Sequence, residues 1–243
     1  MHTAFVSRDR RFGHSRSIDS EPSTTSRPRA RLAALLAVGG VMAFAVLVLA
    51  LHVLKPEFAP SWRFLSEYSI GRHGWVMMLA FFCWAISAIA LAVALRREVA
   101  STGGRIGVYL LSIVGLSLIA AGLFAQDPVT AQRDELTTHG TLHAIASMIG
   151  IPGIPIAALL IGWSLSRHNP SWSAERRPLM WTAHLTWMSL LTMFIYLSVA
   201  VPQAGGFGPS VMAGWMNRLV VTTYCVWQLF VAWRALEQRR GPN

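Results

Sequence analysis

Six uninterrupted apolar blocks, each near the twenty residues a lipid bilayer requires, constrain this chain more than any other feature. They cover residues 32–54, 74–95, 104–125, 139–165, 178–201 and 215–236. A soluble core presents apolar residues at face spacing, whereas these blocks are apolar all round. Only 13% of the residues are charged, about half the fraction of a water-facing domain. The expected fold is all-α: one polytopic membrane bundle of six transmembrane helices. Residues 1–31 form a basic tail expected to be disordered, 32–236 the membrane domain, and 237–243 a short basic end.

The formal charge of +10 is gathered in arginine groups beside the apolar blocks. Such groups read as topology signals, and as attractors of anionic lipid, before they read as nucleic-acid contacts. Membrane lipids are therefore the expected partners, and nucleic acid is not. Sixteen of the 21 Lys and Arg residues fall on the side of the tail, the second and fourth loops and the C-terminal end. Lys55, Arg63, Arg72, Arg133 and Arg218 fall on the other. The positive-inside rule then places both termini in the cytoplasm. Cys83 and Cys225, each mid-block, read as packing residues without a disulfide framework.

The outer segments carry what topology alone does not need, a mixture of acids, bases and imidazoles. In the first, Arg63 and Glu67 are spaced to pair on a short helix that Ser61 can cap, beside Trp62, Tyr68 and His73. An interfacial aromatic helix and an inward-turned Glu67 are compatible readings. At the head of the fourth block, His139 and His143 lie four apart and share a helix face. With Asp127 they are candidates for a metal, and with Glu67 as general base for metal-assisted hydrolysis or transfer. The alternative is a helix start capped by Thr137 or Thr138, with both histidines in hydrogen bonds.

Asn217 and Arg218 open the sixth block, and an arginine one turn inside an apolar boundary must snorkel or pair. Glu67, Asp127 or a lipid phosphate are its candidate partners, and an ion pair locking the sixth helix to the first loop is the structural alternative. Trp62, Arg63, Tyr68, His73, Asn217 and Arg218 form the candidate ligand set, for an amphipathic molecule such as a lipid. His52, His73 or His143 as haem ligands give a third reading, with no cofactor specified by the residues themselves. His184, alone in its layer, is expected to hydrogen-bond a neighbouring helix. Pro152 and Pro155 should kink or unwind the fourth helix, which lipid tolerates only where the freed carbonyls find donors.

Taken in order, LKPEFAPSWRFLSEYSIGRHGW, GLFAQDP, THGTLHAIAS and GWMNRL resemble the domain-of-unknown-function family 998 (DUF998). The resemblance implies a six-helix membrane protein of a prokaryotic cell membrane. It brings no reaction and no residue roles. For the topology itself, a reporter fused after Asn243 is expected to stay cytosolic, and a tag between Asp127 and Thr138 to be reached from outside the cell. An exported reporter would reverse the assignment.

Overall fold

In hydrocarbon no water satisfies a peptide group, so each apolar block must close its own hydrogen bonds as a helix. The computed structural model, which describes residues 26–239, has six helices long and apolar enough to span a bilayer. They are α1 (Ser26–Leu54), α2 (Gly74–Leu95), α3 (Thr102–Leu123), α4 (Thr138–His168), α5 (Arg176–Gln203) and α6 (Ala213–Glu237). Short 3₁₀ turns at Leu65–Ser69, Arg133–Glu135 and Pro170–Glu175 interrupt the loops. Each helix packs on its neighbours in sequence, and α1 closes the ring against α6. The spans agree with the apolar blocks to within a few residues. Helix α1 starts earlier than the block, at Ser26, so residues 26–31 are helical. The rest of the expected disordered tail, and residues 240–243 of the basic end, lie outside the described residues.

Two ends follow from this ring. The proximal end carries the start of α1 and the end of α6 together with the α2–α3 and α4–α5 connections. The distal end carries residues 55–73, 124–137 and 204–212. Small residues set the helix spacing. A Cβ on Gly40 would meet the backbone of Cys83 and Ser87 on α2 at 2.6 and 2.9 Å. Ser87 Oγ also donates to Ala37 O at 2.8 Å across the same contact. Cys83 and Cys225 are free and partly buried.

Helix α4 runs unbroken through Pro152 and Pro155, where unwinding was one expected outcome. Pro155 has no N–H for Ile151 O, the acceptor one turn back. The hydroxyl of Tyr224 on α6 supplies the missing donor at 2.7 Å. Across the ring, Trp84 Nε1 donates to Gln228 Oε1 at 2.6 Å, joining α2 to α6.

The proximal end holds more than topology signals. Arg239 donates to Glu98 and Ala94 O at 2.9 Å, and Arg234 pairs with Glu175 and Glu237. These contacts tie the last turn of α6 to the α2–α3 connection and the start of α5. His184 differs from expectation: it lies on the exposed face of α5 beside Trp181 and Arg177. A helix at the rim of the ring has a face with no protein neighbour, and α5 is the least buried of the six.

Replacing Tyr224 with Phe should leave Ile151 O without a donor. The expected cost is about 1 kcal/mol, typical of an interhelical hydrogen bond in lipid. It would appear as a lower unfolding temperature in detergent, and an unchanged temperature would remove Tyr224 as the support of the proline site.

Candidate functional site

Residues 55–73 fold back over the distal end as a cap, and one buried carboxylate organises it. Glu67 is 0% exposed and accepts from three directions. Arg63 Nη1 donates to Oε1 at 2.7 Å, Val129 N to Oε1 at 3.0 Å, and Phe64 N to Oε2 at 2.8 Å. The first is the expected i,i+4 pair, and the carboxylate is turned inward onto the backbone of the cap. Glu67 itself closes the start of the 3₁₀ turn, where no side chain caps from Phe64 or Ser61. The bond to Val129 brings the third loop against the first. Ser66 Oγ on Gln126 Oε1, and Gln126 N on Ser69 Oγ at 3.3 Å, add to that seam.

Arg218 fastens the cap to α6, without the ion pair considered from sequence. Its Nε donates to His52 Nε2 at 2.9 Å, Nη1 to Arg63 O at 2.8 Å and to Gly214 O at 3.1 Å, and Nη2 to the Tyr68 hydroxyl at 3.0 Å. The partner ring is held in one tautomer. His52 Nδ1 lies 2.7 Å from Val48 O, and a carbonyl only accepts, so Nδ1 carries the proton and Nε2 the lone pair. Asn217 Oδ1 accepts from Leu65 N at 3.0 Å, and Trp215 N donates to Ser61 O at 3.1 Å. Gly214 permits this approach: a Cβ there would lie 2.3 Å from Pro60 O and 2.6 Å from Arg63 O.

Lys55, which the sequence marks only as a charge beside the first apolar block, is 1% exposed. Its Nζ donates to Tyr68 O at 3.1 Å and to Ile70 O. Burial lowers its pKa from the ordinary lysine value, with Glu57 opposing. Burial raises the Tyr68 phenol, and the neighbouring Arg218 opposes. The arginine of the Glu67 pair stacks on Trp62, its guanidinium 4.1 Å from the ring centre. His73 begins α2 in the left-handed region at φ 64°, a conformation histidine adopts more readily than most residues.

The fourth block divides its two histidines. Thr137 caps α4 as one of the expected residues, its Oγ1 accepting from Gly140 N at 2.9 Å. Asp127 accepts from Thr137 N and from Thr137 Oγ1, each at 2.8 Å, and so sits at the positive end of the helix. Its carboxylate occupies the space beside Gly140, where a Cβ would lie 1.9 Å from Oδ2. His139 is exposed, with its ring against Phe124. His143 is buried, its Nδ1 within 3.0 Å of Ala121 O and 2.9 Å of Phe124 O. His139, His143 and Asp127 do not converge. Among the described residues no group of three or more His, Cys, Asp or Glu side chains is arranged to hold a metal. The three histidines considered for haem lie on α1, at the start of α2 and on α4, and both ring nitrogens of His52 are engaged.

Beneath the cap, α4 and α5 separate. A crevice of about 840 Å³ runs between them, walled by Met148, Pro152, Met193, Phe194 and Leu197. Its distal end is polar, with Ser66, Gln126, Asp127 and Asn217. A smaller cavity of about 70 Å³ lies inside the ring, lined by Phe44, Trp84 and Tyr224 among others. Ser66, His143, Ser147, Ile151, Met193 and Asn217 line both spaces, which therefore adjoin. Ser147 and Tyr224 escaped attention in the sequence. The signals were Ser147 one helical turn after His143, and Tyr224 as the one tyrosine of the sixth apolar block.

These features define a class: a multi-pass membrane protein with a six-helix ring, a hydrogen-bonded cap and a lateral crevice. The sequence matches the family described as "Protein of unknown function (DUF998)" over residues 37–234. The chain belongs to that family. No curated protein and no solved structure matches it.

Arg218→Ala strands three acceptors, His52 Nε2, Tyr68 Oη and Arg63 O. The expected cost is about 3 kcal/mol, with each unsatisfied buried group contributing on the order of 1 kcal/mol. Faster amide exchange across residues 55–73 should accompany it. Unchanged exchange there would show that the cap does not depend on Arg218.

Proposed function

We propose that this protein binds an amphipathic lipid in the crevice between α4 and α5, with the head group under the distal cap. The observation that carries this reading is the crevice itself. It combines apolar walls open along the membrane-facing sides of α4 and α5 with a polar end that adjoins the cavity inside the ring. Its volume falls within the range of small-molecule sites, about 300–1,000 Å³. Exposed Met148 and Phe194 stand at its edge, where a lipid chain enters sideways without crossing water.

The charge pattern narrows the head group. Asp127 is the only Asp, Glu, Lys or Arg among the described crevice-lining residues, and its oxygens are engaged by Thr137. Arg63 and Arg218, first candidates for holding an anion, direct their hydrogen bonds to the cap and line neither space. The remaining polar groups suit a hydroxyl. With Nδ1 donating toward two carbonyls, the neutral form of His143 keeps an acceptor at Nε2. Asn217, whose Oδ1 is used by Leu65 N, keeps its amide donors. A neutral, hydroxyl-bearing head group, which both donates and accepts, satisfies this pair better than a phosphate. The arginine distribution supports a distal end that faces away from the cytoplasm.

Ser147→Trp fills the junction of crevice and cavity. Protein purified gently and read by native mass spectrometry should carry a neutral lipid in the wild type. The variant should lose it while remaining monodisperse. A wild-type protein free of lipid, or a variant that keeps it, would refute this assignment.

A further inference from the structure

Three arginines that take no part in the cap or the crevice stand together at the proximal end. Arg96 and Arg97 follow α2, Arg105 lies near the start of α3, and all three line one groove of about 710 Å³ between the two helices. Each is exposed. Among the described residues none of the three forms an ion pair with a carboxylate. The neighbouring acid, Glu98, is taken: Oε1 accepts from Arg239 at 2.9 Å, and Oε2 from Asn169 Nδ2 at 3.0 Å. The rest of the groove includes Val93, Val108, Tyr109 and Ser112. Val93 and Tyr109 are exposed on the membrane-facing surface.

Topology alone does not require this arrangement. The positive-inside rule is met by an arginine anywhere in a short loop. Arg105 instead stands near a helix N-terminus, where the helix field disfavours a cation. Arg96 and Arg97 bring like charges to the same groove, with no acid to offset them. A phosphate there relieves all three repulsions, matches the guanidinium fork, and meets the positive end of α3. The apolar floor calls for more than a soluble anion, because it continues the surface that acyl chains cover. We infer that the α2–α3 groove binds the phosphate head group of an anionic glycerophospholipid, with its chains along Val93, Val108 and Tyr109. This site is separate from the α4–α5 crevice and stands on its own residues.

The full chain, reconstituted in bilayers mixing phosphatidylcholine and phosphatidylglycerol and then extracted, reads the site directly through the lipids retained in native mass spectrometry. Wild-type protein should retain phosphatidylglycerol in preference. The triple variant R96Q/R97Q/R105Q should lower that retention by about tenfold or more, since each arginine near a membrane surface contributes to anionic-lipid attraction. R105Q alone, a single exposed change, should lower it several-fold, which keeps the test decisive if the triple variant folds poorly. R176Q/R177Q, on the basic patch of α5, should leave it unchanged. Three results would overturn the site. One is no preference in the wild type. Another is equal loss in the α5 variant, which would mean a general attraction of the basic face. The last is thermal protection by inorganic phosphate in pure phosphatidylcholine equal to that by phosphatidylglycerol, which would mean a free-anion site.

Discussion

A peptide group in hydrocarbon has no water to fall back on, and the architecture answers to that constraint throughout. Six helices satisfy nearly all of it internally. Where Pro155 removes a donor, Tyr224 reaches from α6 to the stranded Ile151 carbonyl, so the helix continues. The irregular backbone of residues 55–73 is a larger departure, and it is closed in the same way on a larger scale. Lys55 satisfies the carbonyls of Tyr68 and Ile70, Arg218 that of Arg63, Asn217 the N–H of Leu65, and Glu67 that of Phe64. The charges that stand out in the distal segments are the donors and acceptors that let a non-helical segment lie against the bundle.

The cap and the crevice differ in how their polar groups are partnered. Glu67, Arg218 and Asp127 are occupied with the backbone and with neighbouring side chains, while His143, Ser147 and Asn217 border open space and keep hydrogen-bonding capacity. Helix α4 borders both. Its first turn is held by Asp127 and Thr137, its next buried turn presents His143, and its proline region carries Ile151, which lines both spaces and accepts from Tyr224.

Much of this was legible beforehand. The six spans could be read because burial in lipid acts on every side chain of a helix at once, leaving a composition signal twenty residues long. The Arg63–Glu67 pair and the Thr137 cap were legible because both are local, set by spacing along a few residues. The resemblance to DUF998 pointed to the blocks that meet at the distal end. His139 and His143 were not separable. Spacing places them on one face, but the position of Ala121 in the last turn of α3 and of Phe124 just after it decides that one ring is buried and the other is not. Lys55 gave no signal of burial, since its acceptors arise from the turn that residues 68–70 make.

What the sequence determined by itself is the class of object: an all-helical membrane bundle, its spans, its local caps, and the end at which polar residues gather. Bilayer thickness and helix periodicity act on consecutive residues, so these properties survive without any knowledge of neighbours. Tertiary structure alone decided which polar residues are spent on one another and which face a cavity. Arg218 meets His52 and Tyr68, and Tyr224 meets Ile151, across separations that no local rule spans. Hydrogen bonds act over about 3 Å, and only the closed ring of helices brings such partners within that reach.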